Sequence, residues 1–288
     1  MKEFCSTQVG GTEFRWGEKT YVMGIINMTP DSFSGDGLGN NVDAAVLQAL
    51  RMEKEGADLI DVGGESTRPK GATYGAGAEA ISAEEELHRV LPVIRALKKA
   101  LTIPISIDTY KAEVAERAIA EGAALINDVW GLRRDSRLAE VAAASSVPLV
   151  ITHNKENHDY ADFVPEVFEG LRRSIEIAVT AGVQEENIII DPGIGFGKTA
   201  EHNLELLRHL EDFKKAFRYP LLLGTSRKNF IGLVLGGLLP EDRVEGTMAT
   251  IAVAITHGVD IVRVHDVKEA VRTCRMTDAI MRGWVRED

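Results

Sequence analysis

The sequence has few of the residues that hold small extracellular folds together. Only two cysteines, Cys5 and Cys274, occur among 288 residues, and no C-x-x-C or Cys/His spacing is present. This cysteine use excludes a disulfide framework and a zinc site and is typical of a reducing compartment, so we predict a cytoplasmic protein. A chain of this length can bury roughly three quarters of its unfolded surface, so its core needs no covalent support.

Long apolar runs are also missing. The longest stretches without Asp, Glu, Lys or Arg are 14 residues long, at 141–154 and 246–259. A membrane span needs about 20 apolar residues. The first residues carry charge and lack the apolar region of a secretory signal. We therefore expect no membrane partner.

Positive charge is scarce relative to negative charge. There are 33 Lys+Arg residues and 44 Asp+Glu residues, which gives a formal net charge of −11. The average field of such a protein repels nucleic acid and anionic membranes, so neither is an expected partner. A local basic pocket for a small anion remains compatible with this balance.

Short apolar segments alternate with longer amphipathic segments along the whole chain. The predicted strands are 21–26, 58–62, 104–107, 123–126, 148–152, 187–190, 220–224 and 260–264. The predicted helices are 42–56, 83–100, 111–121, 135–145, 163–181, 200–216, 240–257 and 268–282. Strands that are apolar throughout indicate parallel strands covered on both faces.

Eight strand–helix units predict an α/β fold, namely a (β/α)8 TIM barrel with a short N-terminal hairpin within 7–20. We expect residues 1–288 to form a single domain. An open doubly wound sheet is the alternative. Such a sheet normally has fewer units and a glycine fingerprint after its first strand, where this chain has Asn27-Met28-Thr29-Pro30.

Polar residues follow nearly every predicted strand, and in a barrel these strand ends meet on the face where active sites are built. The acceptors and amides are Asp61, Asp108, Asn127 and Asp191, and the cations are Arg68, Arg227, Lys228, Arg263 and His265. Carboxylates match the N–H edge of a guanidine-like heterocycle, and the cations match phosphate. No spacing supports a protein-only metal cage, whereas Mg²⁺ carried by phosphates fits. An Asp or Asn after a strand can instead cap the next helix, an alternative that stays open for Asp128, Asp266 and Asn154.

Several segments resemble the dihydropteroate synthase family. Residues 23–34 (MGIINMTPDSFS) resemble its opening signature, and 61–69, 106–109, 126–128, 191–196, 224–228 and 263–266 match further motifs in order. The resemblance implies a homodimeric (β/α)8 barrel and sulfonamide target. Its reaction condenses 6-hydroxymethyl-7,8-dihydropterin pyrophosphate with p-aminobenzoate by an SN1-like displacement. The products are 7,8-dihydropteroate and pyrophosphate, in folate biosynthesis, with Mg²⁺ as cofactor.

The resemblance also implies a role for each matched residue. The pterin pocket would contain Asp108, Asn127, Val129, Asp191, Phe196 and Lys228, with Asp191 on the 2-amino and N3 edge. Pyrophosphate would be bound by Asn27, Arg68, Arg263 and His265, and Asn27 would also bind the metal. The second substrate would contact Phe33, Thr67, Arg68, Pro69 and Asn229. The catalytic residues would be Asp108, Lys228, Arg263 and His265.

Three positions depart from the family pattern. Gly35-Asp36-Gly37 shifts an acid by one place, so either Asp31 or Asp36 would meet magnesium, and Thr152 and Asn229 replace more common residues. Two other functions remain as alternatives, a corrinoid-type pterin-dependent methyltransferase and a catalytically silent pterin-binding protein. The methyltransferase would not need Ser226-Arg227-Lys228. The silent protein would be expected to lose Asn27, Arg68, Lys228 or Arg263, and this chain has all four.

Some features have structural interpretations. We expect His153 to be a hydrogen-bonded pocket residue rather than a proton shuttle. The run Glu84-Glu85-Glu86 is predicted to be a solvated helix start, favoured by the helix dipole. The uncharged helix 247–257 is predicted to be core or dimer surface.

Overall fold

The computed structural model describes residues 5–29, 37–39, 41–66 and 80–284. An antiparallel hairpin of Ser6–Val9 (β1) and Thr12–Arg15 (β2) comes first. Eight parallel strands follow: Tyr21–Asn27 (β3), Leu59–Gly63 (β4), Ile105–Asp108 (β5), Leu125–Asp128 (β6), Leu149–Thr152 (β7), Ile188–Asp191 (β8), Leu222–Leu223 (β9) and Ile261–Val264 (β10).

The eight strands form a nearly closed barrel in the order β8-β7-β6-β5-β4-β3-β10-β9. The two ends of this order meet where Ile190 forms a parallel bridge with Leu221 and donates its N–H to the Pro220 carbonyl at 2.9 Å. The predicted TIM barrel and its N-terminal hairpin are therefore confirmed.

Helices connect successive strands. They are Val42–Glu55 (α1), Ala83–Ala100 (α2), Ala112–Ala120 (α3), Arg137–Ser145 (α4), Phe163–Thr180 (α5), Ala200–Arg208 (α6), Leu210–Phe217 (α7), Asn229–Val234 (α8), Val244–Thr256 (α9) and Val267–Arg282 (α10). The helix predicted over 200–216 is broken at His209, and α8 was not predicted. The short α8 is followed by Gly236 and Gly237, both at the positive φ angles that glycine adopts easily.

Alternate strand residues pack in two separate apolar layers. Leu59 packs inside the barrel with Val9 and Phe14 of the hairpin, whereas Ile60 packs outside against the helices. Because alternate side chains point to opposite faces of a strand, Asp61 lies on the same interior face as Leu59. The interior is therefore apolar at the end that the hairpin closes and polar at the carboxyl ends of the strands.

The prediction that Glu84-Glu85-Glu86 is solvated is wrong for Glu86, whose relative exposure is only 1%. The Lys111 ammonium donates to Glu86 Oε2 at 2.6 Å and also to Glu65. Burial raises the pKa of Glu86 although Lys111 opposes that effect. Helical spacing places Glu86 on the same face as Val90, four residues later and fully buried, which explains why it points inward.

Within the residues that the structure describes, none of the helices combines the length and the apolar character that crossing a bilayer would require.

Candidate active site

The carboxyl ends of the strands bring an arginine between two aspartates. Arg263 of β10 donates from Nε to Asp61 of β4 at 2.6 Å and from Nη2 to Asp108 of β5 at 2.7 Å. Asn127 of β6 donates from Nδ2 to the same Asp61 oxygen at 2.8 Å. Four strands of the barrel are therefore joined by one hydrogen-bonded group at their polar ends.

This group is buried, and its charges alter one another. Burial raises the pKa of Asp108 to about 7, although the Arg263 guanidinium opposes the shift. Burial alone would lower the pKa of Arg263, but Asp61 and Asp108 outweigh it and raise that pKa. Among the described residues, nothing bonds to Asp61 Oδ1. An unmatched buried carboxylate oxygen is costly, which is typical of a site where a ligand supplies the missing donor.

Asp191 ends β8 on another side of the same barrel mouth. Its Oδ1 accepts a hydrogen bond from the backbone N–H of Gly193 at 2.7 Å. Burial raises the pKa of Asp191 to about 6, against the opposing effects of that N–H and of Lys228. A perturbed carboxyl group at the end of a barrel strand is typical of a functional site.

Lys228 and Phe196, in the segments after β9 and β8, form a cation–π contact. The Lys228 ammonium lies 4.2 Å from the centroid of the Phe196 ring, a cation–π distance. Burial lowers the pKa of Lys228 to about 8, and Arg263 adds to this effect. A side chain at Gly195 would begin 2.9 Å from Lys228 Cδ, so glycine leaves the room that this lysine occupies.

Polar residues with anion-binding chemistry lie at the ends of β3, β9 and β10. Ser226 Oγ lies 2.8 Å from His265 Nδ1 and accepts the His265 backbone N–H at 3.1 Å. Arg227 contacts Asp266 through Nε at 3.0 Å and Nη2 at 2.6 Å. Asn27 is half-buried at the end of β3, and its backbone carbonyl accepts the Leu38 N–H at 2.9 Å.

Asp128, Asn154 and Asp266 do not cap the next helix by a side-chain hydrogen bond, but each bonds elsewhere within the fold. Asp128 accepts the N–H groups of Trp130 at 2.8 Å and of Leu132 at 2.5 Å, so it stabilises the turn after β6. Asn154 donates to the Val129 carbonyl at 2.9 Å. Asp266 is the partner of Arg227. None of these three side chains is needed to complete the group around Arg263.

Some predicted site residues lie outside the part of the chain that the structure describes, and others lie close to the strand ends. Phe33, Thr67, Arg68 and Pro69 lie outside the described residues, as do both candidate metal acids, Asp31 and Asp36. Asn229 begins α8, where its side-chain oxygen lies 3.5 Å from Arg243 Nη2. Val129 and Thr152 are buried at the ends of β6 and β7.

Sequence reasoning missed Lys198, a buried lysine at the carboxyl side of β8. It lies 3.0 Å from His153 Nδ1, so the predicted hydrogen bonding of His153 is confirmed. The sequence offers one signal, the spacing Gly193-x-Gly195-x-Gly197, and in the structure these glycines have positive φ angles in the segment before Lys198. No charge pattern in the sequence indicated that the lysine is buried.

Metal chemistry fits only in part. Within the described ranges, no cluster of three or more His, Cys, Asp or Glu side chains could hold a metal ion. The amide oxygen of Asn27 is a suitable single ligand for magnesium, which commonly keeps waters and takes its other oxygens from substrate phosphates. The described donors therefore fit a metal that arrives with a phosphorylated substrate.

Known proteins are similar to this chain in sequence and in fold. The profile of the pterin binding enzyme family matches residues 23–265. A dihydropteroate synthase of Clostridium beijerinckii is 52% identical over 276 residues, which cover 96% of this chain and 99% of that protein. The crystal structure of dihydropteroate synthase from Clostridium difficile in the presence of pteroic acid is 50% identical with a TM-score of 0.86. It covers 93% of this chain and 98% of that chain.

A second solved structure agrees. Xanthomonas albilineans dihydropteroate synthase with 4-aminobenzoic acid is 42% identical, has a TM-score of 0.87, and covers 96% of this chain and 98% of that chain. Agreement over nearly the whole length of these enzymes leaves the corrinoid-type methyltransferase and the silent binding protein without support. The chain belongs to the pterin-binding enzymes and, within them, to the dihydropteroate synthases, the transferases of folate biosynthesis.

Proposed function

We propose that this synthase holds the pterin of 6-hydroxymethyl-7,8-dihydropterin pyrophosphate between Asp191 and the Arg263 group and transfers it to p-aminobenzoate. The observation that carries the proposal is the buried oxygen of Asp61, which lacks a donor among the described residues. A heterocycle rich in N–H groups would supply donors to the carboxylates of this pocket. Asn127, Val129, Phe196 and Lys228 would complete the pocket.

The reaction would proceed by an SN1-like displacement. The bond between the methylene carbon and the pyrophosphate oxygen breaks, and its electron pair leaves with that oxygen. The electron-rich dihydropterin carries the positive charge that remains on the methylene group. The p-aminobenzoate nitrogen then forms the C–N bond and releases one proton to solvent. An arylamine is unprotonated at neutral pH, so the chain needs no strong base to expose its lone pair.

Charged side chains would stabilise both halves of the separating pair. Asp108 would face the developing cation, while Arg263 and His265 would bind the leaving pyrophosphate, with Lys228 close to the pterin ring. Fixed charges in a buried site commonly supply the largest part of catalysis. Asn27 would hold Mg²⁺, which would supply positive charge to offset that of the leaving group.

Asp108→Asn tests the charge that faces the cation. Asparagine can still accept the hydrogen bond of Arg263, but it carries no charge, so we expect kcat to fall about tenfold or more. In the wild type, kcat/KM for the pterin substrate should rise with pH through about 7, the pKa of Asp108. In the variant, the pH at which kcat/KM rises should decrease toward about 6, the pKa of Asp191. An unchanged rise in steady-state pH profiles would remove Asp108 from this role.

Asn27→Ala tests the proposed metal contact. We expect the Mg²⁺ concentration that gives half-maximal turnover to rise about tenfold. The variant lacks the protein oxygen that would hold the metal, and only substrate and water would supply ligands. Calorimetry with 6-hydroxymethylpterin, which has no pyrophosphate, should show wild-type affinity. Equal losses for ligands with and without pyrophosphate would place Asn27 against the pterin instead.

The second substrate would bind at the outer edge of the pocket. Phe33, Thr67, Arg68 and Pro69, with Asn229, would contact p-aminobenzoate, and Arg68 would also reach the pyrophosphate. In the sequence, residues 67–69 come four to six positions after Gly63, the last residue of β4. A site that excludes water would favour the arylamine over hydrolysis of the pterin cation.

The enzyme would be a homodimer that uses an apolar face of α9 and α10. This face exposes Val253 of α9 and Met276, Ile280 and Met281 of α10. Exposed apolar side chains grouped on neighbouring helices are typical of an interface between subunits.

Ile280→Asp tests the dimer. A buried charge in each copy should convert the protein to a monomer at micromolar concentration, measured by light scattering after size exclusion. Leu47→Asp is the matched control, because Leu47 on α1 is 69% exposed and Ile280 is 68% exposed. A wild-type protein that is already monomeric would contradict the assignment, as would a dimer in the Ile280 variant.

The cellular setting and the extent of the fold complete the proposal. The chain would act as one domain over residues 1–288 in the cytoplasm. The presence of only two cysteines in 288 residues, with no C-x-x-C spacing, supports a reducing compartment.

A further inference from the structure

Lys198 is a buried lysine that the proposed reaction does not use. It is 5% exposed and lies between β8 and α6. Its ammonium lies 3.0 Å from His153 Nδ1, 3.2 Å from the His153 carbonyl and 2.9 Å from the Phe196 carbonyl. A lysine ammonium has three N–H donors, and three acceptors surround this one. It therefore connects the end of β7 to the segment that carries Phe196.

His153 serves as an acceptor in this arrangement. Burial lowers the pKa of His153 to about 2, and the cations of Lys198 and Arg133 add to that effect, so the ring is neutral. With Nδ1 facing the ammonium, the ring proton lies on Nε2. The ring edge packs on Gly170 of α5, where a side chain would begin 2.6 Å from His153 Cδ2. Helix α5 thus fixes the acceptor that Lys198 requires.

Two paths lead from Lys198 to the pterin pocket. The first runs through the Phe196 backbone to its ring, which lies under the Lys228 ammonium. The second runs through His153 to Gly193, where a side chain would begin only 1.8 Å from the His153 carbonyl oxygen. Gly193 in turn donates its N–H to Asp191. The ring and the carboxylate therefore depend on the same buried ammonium.

Lys198 also contributes charge to the pocket. Asp191 faces three cations, namely Lys228, Lys198 and Arg263, and each of them opposes the rise in its pKa that burial causes. Burial lowers the pKa of Lys198 to about 7, with Asp191 opposing and Lys228 assisting the shift. The hydrogen bonds to three acceptors favour the charged form of this lysine.

We propose that Lys198 is a positioning residue for pterin recognition. Its ammonium fixes the Phe196 ring and the Asp191 carboxylate through their shared contacts, and its charge favours the ionised carboxylate that the pterin requires. The inference rests on the proposed roles of Asp191 and Phe196. It does not place Lys198 in contact with either substrate.

Lys198→Met and Lys198→Gln test the inference, with 6-hydroxymethylpterin as the calorimetric ligand from pH 5 to pH 9. At pH 6.5, below the pKa of Lys198 and above that of Asp191, Lys198→Met should lose affinity at least about tenfold, because three buried acceptors lose their donor. Binding requires ionised Asp191, so affinity falls as pH decreases through the pKa of that group. Without the nearby cation the pKa of Asp191 rises. The decline of affinity on the acid side should therefore begin at a pH that is higher by up to about one unit.

The glutamine variant separates position from charge. Its amide can still donate to carbonyl groups, so its affinity at pH 6.5 should fall less than that of the methionine variant. The pH at which affinity declines on the acid side should move equally in both variants. The KM for p-aminobenzoate should stay within about twofold of wild type in both variants. If the methionine variant does not fold, as judged by thermal unfolding, the glutamine variant decides the question.

Lys155→Met is the matched control. Lys155 lies close by, contacts the Tyr160 ring at 4.3 Å and has no bond to the Phe196 carbonyl among the described contacts. Lys155→Met should keep the pterin affinity of the wild type and the same dependence of that affinity on pH. A uniform loss of affinity at all pH values, or wild-type binding in folded Lys198 variants, would overturn the inference. If Asp191→Asn also binds the pterin normally, the proposed function itself fails, so the two failures can be distinguished.

Discussion

Arg263→Ala should unfold far more easily than the wild type and should lose measurable turnover. Arg263 separates two carboxylates, and removing it leaves Asp61 and Asp108 close together without the cation that bonds to both. Breaking a buried ion pair by deleting one partner costs about 3–5 kcal/mol of unfolding free energy. Because the Arg263 side chain is 20% exposed, we expect a value toward the lower end of that range.

The pH dependence of this variant has a defined sign. Burial holds the folded-state pKa of Asp108 above its unfolded value of about 4 even beside Arg263, and loss of that cation raises it further, so protonation stabilises the folded variant. Its stability should therefore fall as pH rises from about 5 to 8, and the gap to the wild type should narrow at acid pH. Urea unfolding at pH 5, 6.5 and 8 measures both effects.

Lys214→Ala is the control that separates stability from catalysis. Lys214 pairs with buried Asp260 at 2.6 Å, and Asp260 comes just before β10, at the opposite end of that strand from Arg263. This variant should lose a similar part of its stability but keep its kcat below its melting temperature. If Arg263→Ala retains kcat while unfolding early, Arg263 is a structural residue only.

The barrel could be predicted from the sequence because its signals are local. Each strand is a short apolar run, and the residue types change abruptly where each run ends. Asp61 follows two apolar residues of β4 and Arg263 follows two of β10, so their place at the polar end of the barrel follows from strand periodicity. Their mutual hydrogen bond joins residues 202 positions apart, and no local pattern encodes it.

The unpredicted features depend on packing between distant elements. Glu86 belongs to an acidic run that is typical of a solvated helix start, and only Lys111 of the next unit explains its burial. Lys198 has no apolar neighbour pattern that would indicate a core position. The short α8 and the break at His209 reflect how the chain covers β9, which has only two paired residues.

The predicted site residues on strands and those in the segments after strands are held in place by different parts of the fold. Asp108, Asn127, Asp191 and Arg263 lie on strands, whose backbones are fixed by neighbouring strands on both sides. Lys228, Phe196 and His265 lie in the segments that follow the strands and are fixed by side-chain contacts. Substitutions on the strands should therefore change binding directly, whereas substitutions in the following segments should also change geometry.

Asp191→Asn should abolish strong pterin binding without harming the fold. The Gly193 N–H needs an acceptor, so the new amide must place its oxygen there and turn its NH₂ group toward the ligand. That NH₂ would oppose a pterin N–H donor, and losing a hydrogen bond to a charged group costs about 1.5–3 kcal/mol, or about 10- to 150-fold in affinity.

The stability of Asp191→Asn should change in the opposite direction. Burial holds the folded-state pKa of Asp191 at about 6, above its unfolded value of about 4, so ionisation destabilises the folded wild type as pH rises through that interval. The neutral asparagine escapes this cost, and its melting temperature at pH 8 should equal or exceed that of the wild type. Pterin affinity should fall below pH 6 in the wild type and stay flat with pH in the variant. A folded variant that binds 6-hydroxymethylpterin with wild-type affinity would remove Asp191 from the pterin site, and one that also melts early would show that the carboxylate serves the fold.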